Sequence, residues 1–158
     1  MPRIDASTVV NLLMKIGVFE PIERTLVRWA GFSPRSYAST RREGVPYIPT
    51  LLLTTVGRNS GELRSNALFY LRDGADYIIV ASKSGSPKHP DWFRNIQALP
   101  QAWIVADRRR IPVRAEVVDE ADRRRLWGPL VTMWPRYEDH QRRASPREVP
   151  VVRLRPIR

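Results

Sequence analysis

The sequence predicts an α+β domain that is mainly β: a small barrel-like sheet of about six antiparallel strands, preceded and covered by short helices. Three observations predict it. From residue 48 onward, short runs rich in β-branched, leucine and aromatic residues follow one another closely, bounded by turn residues. Strand and helix patterns do not alternate strictly, and neither GxGxxG nor GxxxxGK[ST] occurs, which argues against a parallel nucleotide-binding sheet. With 158 residues, 42 % of them hydrophobic, the chain can bury one sizeable core.

The elements follow in order. Val9, Leu12, Leu13, Ile16, Phe19, Ile22, Leu26 and Trp29 recur at helical spacing. Pro21 suits a helix start and not an interior, so it splits residues 7–30 into two short helices. Their apolar stripe either packs on the core or lies on a membrane face, with Arg24 and Arg28 reaching toward phosphates. Residues 31–47 are polar and broken by Gly and Pro, and read as a connector. This gives an N-terminal helical segment and connector, 1–45, and a β domain, 46–158. Strands are expected near 48–56, 62–72 and 76–82, with VGRNSGELR as the first hairpin tip and DGAD as the next turn. SKSGSPKHP is a loop, and DWFRNIQAL is a helix starting at Pro90 with Asp91 in its first turn. Residues 101–107 and 110–118 pair across DRRR, Asp119 caps a helix running to about Met133, and VPVVRLR is the last strand.

Charge and composition narrow the function. The net charge is +11, and only three of the 27 basic residues are lysines. Such an excess faces nucleic acid, an anionic membrane surface or a polyanionic small ligand. The arginines are scattered, with no stripe alternating with aromatics, so nucleic acid is not the expected partner. The absence of cysteine excludes disulfides and thiolate metal sites. His89 and His140 belong to no metal-ligand pattern, so no metal is expected. No signal-like or membrane-spanning run is visible, which predicts a cytoplasmic protein, or one peripheral on the inner membrane face.

Three stretches could carry chemistry. At the first hairpin tip, Arg58 and Arg64 flank Asn59, Ser60 and Gly61. Arg64, Asn66, Leu68 and Tyr70 share one strand face, and Leu63, Ser65, Ala67, Phe69 and Leu71 share the other. Two arginines beside exposed turn amides make an anion site, although a solvated hairpin tip has the same composition. In VASKSGSPKHPDWFRN a strand end, Lys83, a small-residue loop and a helix N-terminus form a cradle for a flat anionic or carbonyl-rich ligand. Trp92 there is either an aromatic surface or core. In LVTMWPRYEDH, Trp134, Tyr137 and His140 recur every three residues and line either a cleft or the core. No nucleophile elbow surrounds Ser82 or Ser84, so an enzyme of this sequence would rely on a cofactor.

Together these three stretches, in this order and spacing, resemble the deazaflavin-dependent nitroreductase family of actinobacteria, from about Leu51 to Pro150. The resemblance implies a split β-barrel of the FMN-binding type that binds coenzyme F420, a deazaflavin with a phosphate and an oligoglutamate tail. The reduced coenzyme would pass a hydride to an electron-poor small molecule such as a quinone or nitro compound. Arg58, Asn59, Ser60 and Arg64 would hold the phosphate and tail. Ser65, Asn66, Ala67, Leu68 and Phe69 would line the ribityl chain and ring, with Val80, Ala81, Ser82 and Lys83 beneath it. Asp91, Trp92, Phe93, Arg94 and Asn95 would lie beside it at the helix start. Ser82 and Tyr137 would be the catalytic pair, and Phe69, Met133, Trp134, Tyr137 and His140 the acceptor pocket. The sequence also departs from the family. Asn59 stands where lysine is common, and Phe69, Trp134 and His140 stand where the prodrug-activating member has tyrosines. FMN in the same fold, a non-catalytic carrier and a basic nucleic-acid module are the rival readings. The sequence leaves the oligomeric state open.

Overall fold

The computed structural model describes residues 6–15 and 17–158. Seven strands form one antiparallel sheet: β1 (Thr50–Val56), β2 (Leu63–Phe69), β3 (Leu71–Asp73), β4 (Asp76–Val80), β5 (Gln101–Ala106), β6 (Arg109–Val117) and β7 (Val151–Pro156). Their order across the sheet is β2-β1-β5-β6-β7-β4-β3. The sequence suggests about six strands because 62–72 reads as one. Tyr70 divides it. Its N–H donates to Pro49 O at 3.2 Å, and its ring packs on Tyr77 with centroids 5.3 Å apart. The chain pairs with β1 before Tyr70 and with β4 after it. The two outermost strands are therefore separated by a single residue. The sheet must curl until its edges approach, which makes it a half-barrel split between β2 and β3.

Alternation along the strands divides the apolar residues between two faces. Leu51, Leu53, Ile79, Ile104, Val113, Val152 and Leu154 fill the inside of the curl with Trp92, Phe93 and Ile96 of α4 (Asp91–Ala98). Ile78, Val80 and Val151 face outward beneath α5 (Glu120–Met133) and α6 (Arg136–Ala144). Leu52 and Val105 are covered by Val27 of α2 (Phe19–Ala30). Asp119 caps α5 as expected, its carboxylate accepting from Asp122 N at 2.8 Å.

The N-terminal third differs from its sequence reading. The break between α1 (Ala6–Lys15) and α2 falls at Gly17, whose φ of 73° suits a glycine, and Pro21 lies in the first turn of α2. The buried face of α2 is Phe19, Glu23 and Val27, rotated away from the Ile22–Leu26–Trp29 stripe, and Trp29 is 74 % exposed. The side chain of Leu13, and Ile16 altogether, lie outside the described residues. The expected connector holds a helix, α3 (Pro34–Glu43). Its signals are local: Ser33 caps it by accepting from Ser36 N, Pro34 occupies the first position, and Gly44 closes it in the left-handed conformation. The buried Glu23 carboxylate ties α2 to α3 by accepting from Ser33 Oγ and, at 3.2 Å, from Arg35 N.

Candidate active site

A cleft of about 1320 Å³ opens at the split of the half-barrel. Its walls are the edge strand β2, the end of β4, the start of α4, the α5–α6 junction and one side of α2 and α3. Because β2 is an edge strand, residues from both of its faces border the cleft, and every position from Leu63 to Phe69 lines it.

The hairpin tip is closed by Gly57 N donating to Glu62 O and Gly61 N donating to Gly57 O, each at 2.7 Å. Arg58 docks on α4. Its backbone N–H and Nη1 donate to Asn95 Oδ1 at 3.2 and 3.1 Å, and Nη2 pairs with Asp91 at 3.2 Å. Asn95 is buried and passes the link on, donating from Nδ2 to Thr55 Oγ1 at 3.1 Å. Arg64 is 60 % exposed, and its one ion-pair partner among the described residues is Glu62, at 2.5 Å.

Across the cleft, a tight turn follows Ser82. Lys83, Ser84 and Gly85 all take positive φ, at 47°, 54° and 81°. Such backbone costs on the order of 1–3 kcal/mol for each non-glycine residue and persists only where its surroundings enforce it. Arg147 is the enforcing group. It donates to Ala81 O at 3.2 Å, Ser82 O at 2.9 Å and Ser86 O at 2.7 Å, clamping the turn from behind.

Aromatics form the remaining wall. Trp134 meets Phe69 edge-on, with centroids 5.4 Å apart. Tyr137 is buried, and desolvation raises its phenol pKa well above the usual 10, so it stays a neutral donor. His140 Nδ1 lies 3.0 Å from Ser82 Oγ. Burial lowers the His140 pKa below the usual 6.5, Arg143 and Arg136 lower it further, and Asp139 opposes them. The arrangement offers neutral hydrogen-bond donors over an aromatic wall, inside a cationic rim.

Most of the sequence-predicted site residues meet in this one cleft: Arg58, Asn59, Ser60, Arg64 to Phe69, Val80, Ser82, Lys83, Asp91, Trp92, Asn95, Trp134, Tyr137 and His140. Four do not line it. Ala81 and Phe93 point into the inner core, Ala81 because it alternates with Val80 and Ser82. Arg94 is exposed and outside the cleft lining. Met133 packs against the outer cluster. Trp92 serves both readings, since it is 5 % exposed, in the core, and still touches the cleft.

The sequence reading missed part of the rim. Glu20 and Arg24 of α2, Arg35, Ser39 and Arg42 of α3, and Arg136 and Arg143 of α6 all line the cleft. A signal exists: 35, 39 and 42, like 136, 140 and 143, are spaced i, i+4, i+7 and mark one helix face. Eight cationic side chains thus line the cleft against two carboxylates, Glu20 and Asp91.

A curled antiparallel half-barrel with a basic, aromatic-walled cleft at its split defines a split-barrel protein whose cleft suits a flat polyanion. The family model for F420H(2)-dependent quinone reductases matches residues 33–156, and the chain belongs to that family. An F420H(2)-dependent quinone reductase of Mycobacterium tuberculosis is 40 % identical over 117 residues, 72 % of this chain and 76 % of the relative. A solved F420-H2 dependent reductase, FDR-A, is 32 % identical, with a TM-score of 0.61 over 67 % of this chain and 93 % of its own. A chain solved as a domain-swapped dimer is 29 % identical, with a TM-score of 0.62 over 77 % of this chain and 99 % of its own.

Proposed function

We propose that this chain reduces a quinone with reduced coenzyme F420, holding the coenzyme in the cleft at the barrel split. The observation that carries the reading is the cleft lining. Eight cations against two carboxylates suit a phosphate and several tail carboxylates, and the aromatic wall suits a flat ring. FMN ends at its phosphate and needs fewer cations, so the rim favours F420.

Arg58, Asn59, Ser60 and Arg64, with Arg24, Arg35 and Arg42 facing them, would hold phosphate and tail. Ser65 to Phe69, Val80, Ser82, Lys83, Asp91, Trp92 and Asn95 would hold the ribityl chain and ring. Phe69, Trp134, Tyr137 and His140 would shape the acceptor side. When bound, the reduced coenzyme supplies a hydride. The chain's own work is to orient the acceptor, exclude water and present donors to the acceptor oxygen, with reacting atoms held ~3–3.5 Å apart. Ser82 and Tyr137 are those donors. Tyr137 remains protonated throughout the neutral range and donates without acting as a base.

The exposed apolar residues Val9, Leu12, Ile22 and Trp29 of the N-terminal helices, with Val18 between them, support peripheral contact with a membrane, where quinones dissolve. Among the described residues no helix is long and apolar enough to cross one.

The test is quinone-dependent oxidation of reduced F420, followed by recovery of deazaflavin fluorescence. The expected result is turnover with a quinone and none with reduced FMN. Tight F420 binding without quinone-dependent oxidation would contradict this reading and indicate a carrier.

A further inference from the structure

We propose that His140 is a positioning residue for Ser82: its ring holds the serine hydroxyl proton toward the acceptor oxygen and replaces that proton as the acceptor is reduced. The inference rests on the quinone-reduction reading. It is carried by geometry that no cofactor is needed to see.

Ser82 Oγ has one side-chain partner among the described residues, His140 Nδ1 at 3.0 Å. The serine is 7 % exposed and lines the cleft, so its remaining hydrogen-bonding capacity faces the cleft. Its backbone is fixed from behind by Arg147 Nη2, which donates to Ser82 O at 2.9 Å. The facing surfaces are pressed together at Gly85. A Cβ there would stand 2.8 Å from His140 O and 3.1 Å from His140 Cα. Only a glycine, at φ 81°, lets the turn after Ser82 approach the backbone of His140 itself. Three consecutive left-handed residues and a four-bond arginine clamp thus deliver one hydroxyl to one imidazole.

The charges around the ring set its protonation. Arg136 and Arg143 on α6 oppose a further positive charge, Asp139 partly offsets them, and Lys83 stands on the facing turn. Tyr137 packs edge-on at 6.0 Å and stays neutral. The resting ring is therefore neutral, with a single N–H. Placed on Nδ1, that N–H donates to Ser82 Oγ and leaves the hydroxyl proton aimed into the cleft.

The step balances. The hydride supplied by the reduced coenzyme adds to the quinone, and the carbonyl electron pair moves to oxygen. That oxygen takes the Ser82 proton. The neutral ring takes a solvent proton on Nε2, Ser82 takes the Nδ1 proton of the imidazolium so formed, and exchange with solvent returns the ring's remaining proton from Nε2 to Nδ1. A two-electron, two-proton reduction is complete, with no net change in the protein.

The first test needs no coenzyme. The chain has two histidines, so ¹⁵N-histidine labelling, with His140→Asn identifying the signals of His89, reads the His140 tautomer and titration directly. The expected neutral form carries its proton on Nδ1 and titrates below 6.5, and Ser82→Ala lowers that pKa further by removing the acceptor of the charged form. A proton on Nε2, with Ser82 donating to Nδ1, would overturn the proposal. The second test is the pH profile of quinone reduction at saturating F420. Wild-type kcat should fall as pH rises through the measured His140 pKa. His140→Ala should lose at least tenfold across the profile. His140→Asn, whose amide N–H can replace Nδ1–H, should recover part of the rate at high pH with a flat profile. An asparagine variant that keeps the wild-type profile would overturn the proposal. A wild type that reduces no quinone would remove the reading beneath it, whatever the tautomer.

Discussion

Two arginine-rich regions of this molecule handle charge in opposite ways. On β7 and α5, Arg153 is 11 % exposed and pairs with Asp122 at 2.8 Å, Asp73 at 3.1 Å and Asp76 at 3.3 Å. Arg125 adds a two-pronged bond to Asp73 at 3.0 and 2.8 Å, and Arg155 meets Glu116 at 3.1 Å. Three arginines there face four carboxylates. Eight cations line the cleft, and four carboxylates pair with them among the described residues: Glu20, Asp91, Glu43 and Glu62. Arg24, Lys83 and Arg143 have no ion-pair partner among the described residues. The first region is neutralised within the chain and holds the sheet to its covering helix. The second keeps an excess of positive charge, which costs self-repulsion and would be relieved by an anionic ligand. The net charge of +11 is therefore concentrated, in part, where a polyanion would sit.

The largest expected effect lies in the balanced region. Arg153→Ala leaves three carboxylates crowded together, and should destabilise the fold by about 2–3 kcal/mol, or roughly 5–10 °C in Tm, with F420 affinity unchanged. Its pH behaviour sharpens the point. Arg125 and Arg153 hold the Asp73 pKa down to about 2 from 3.8. A lowered carboxylate pKa contributes stability above the unfolded value that is lost as pH falls through the folded one. Wild-type stability should therefore drop between about pH 4 and 2, and the variant should show a shallower drop in denaturant unfolding. A variant as stable as wild type would break the comparison.

The next effect lies in the unbalanced region and in the other observable. Arg64→Ala should weaken F420 binding by about 1.5 kcal/mol, roughly tenfold in Kd, and move Tm by less than 1 °C. The value sits at the low end for a charged contact because Arg64 is 60 % exposed and shares Glu62. Loss of stability without loss of affinity would merge the two regions into one structural role.

Legibility divided along similar lines. The β domain was readable because its signals are local: short apolar runs at 50–56 and 76–80, a polar turn between the strands at 101–107 and 110–118, and an aspartate cap at Asp119. Tyr70 was not readable as a boundary, since nothing in LFYLRDG marks where the chain leaves one partner strand for another. That choice is made by residues far away in sequence. The core of the site came from three motifs that the fold does bring together. Ala81, Phe93, Arg94 and Met133 were carried along as neighbours of true lining residues and face elsewhere, because one step along a strand or helix turns a side chain away. The α3 cap and the 35–39–42 spacing were present but masked by glycine, proline and polar composition. Arg147 left no local mark, since its role is to bond carbonyls some 60 positions earlier.

The central claim is that the unbalanced cleft cations select a ligand with a long anionic tail. Parallel calorimetric titration of the purified protein with F420 and with FMN, at fixed near-physiological salt, tests it most directly. The account predicts F420 binding at least tenfold tighter than FMN; equal or tighter FMN binding, or binding of neither, would contradict it.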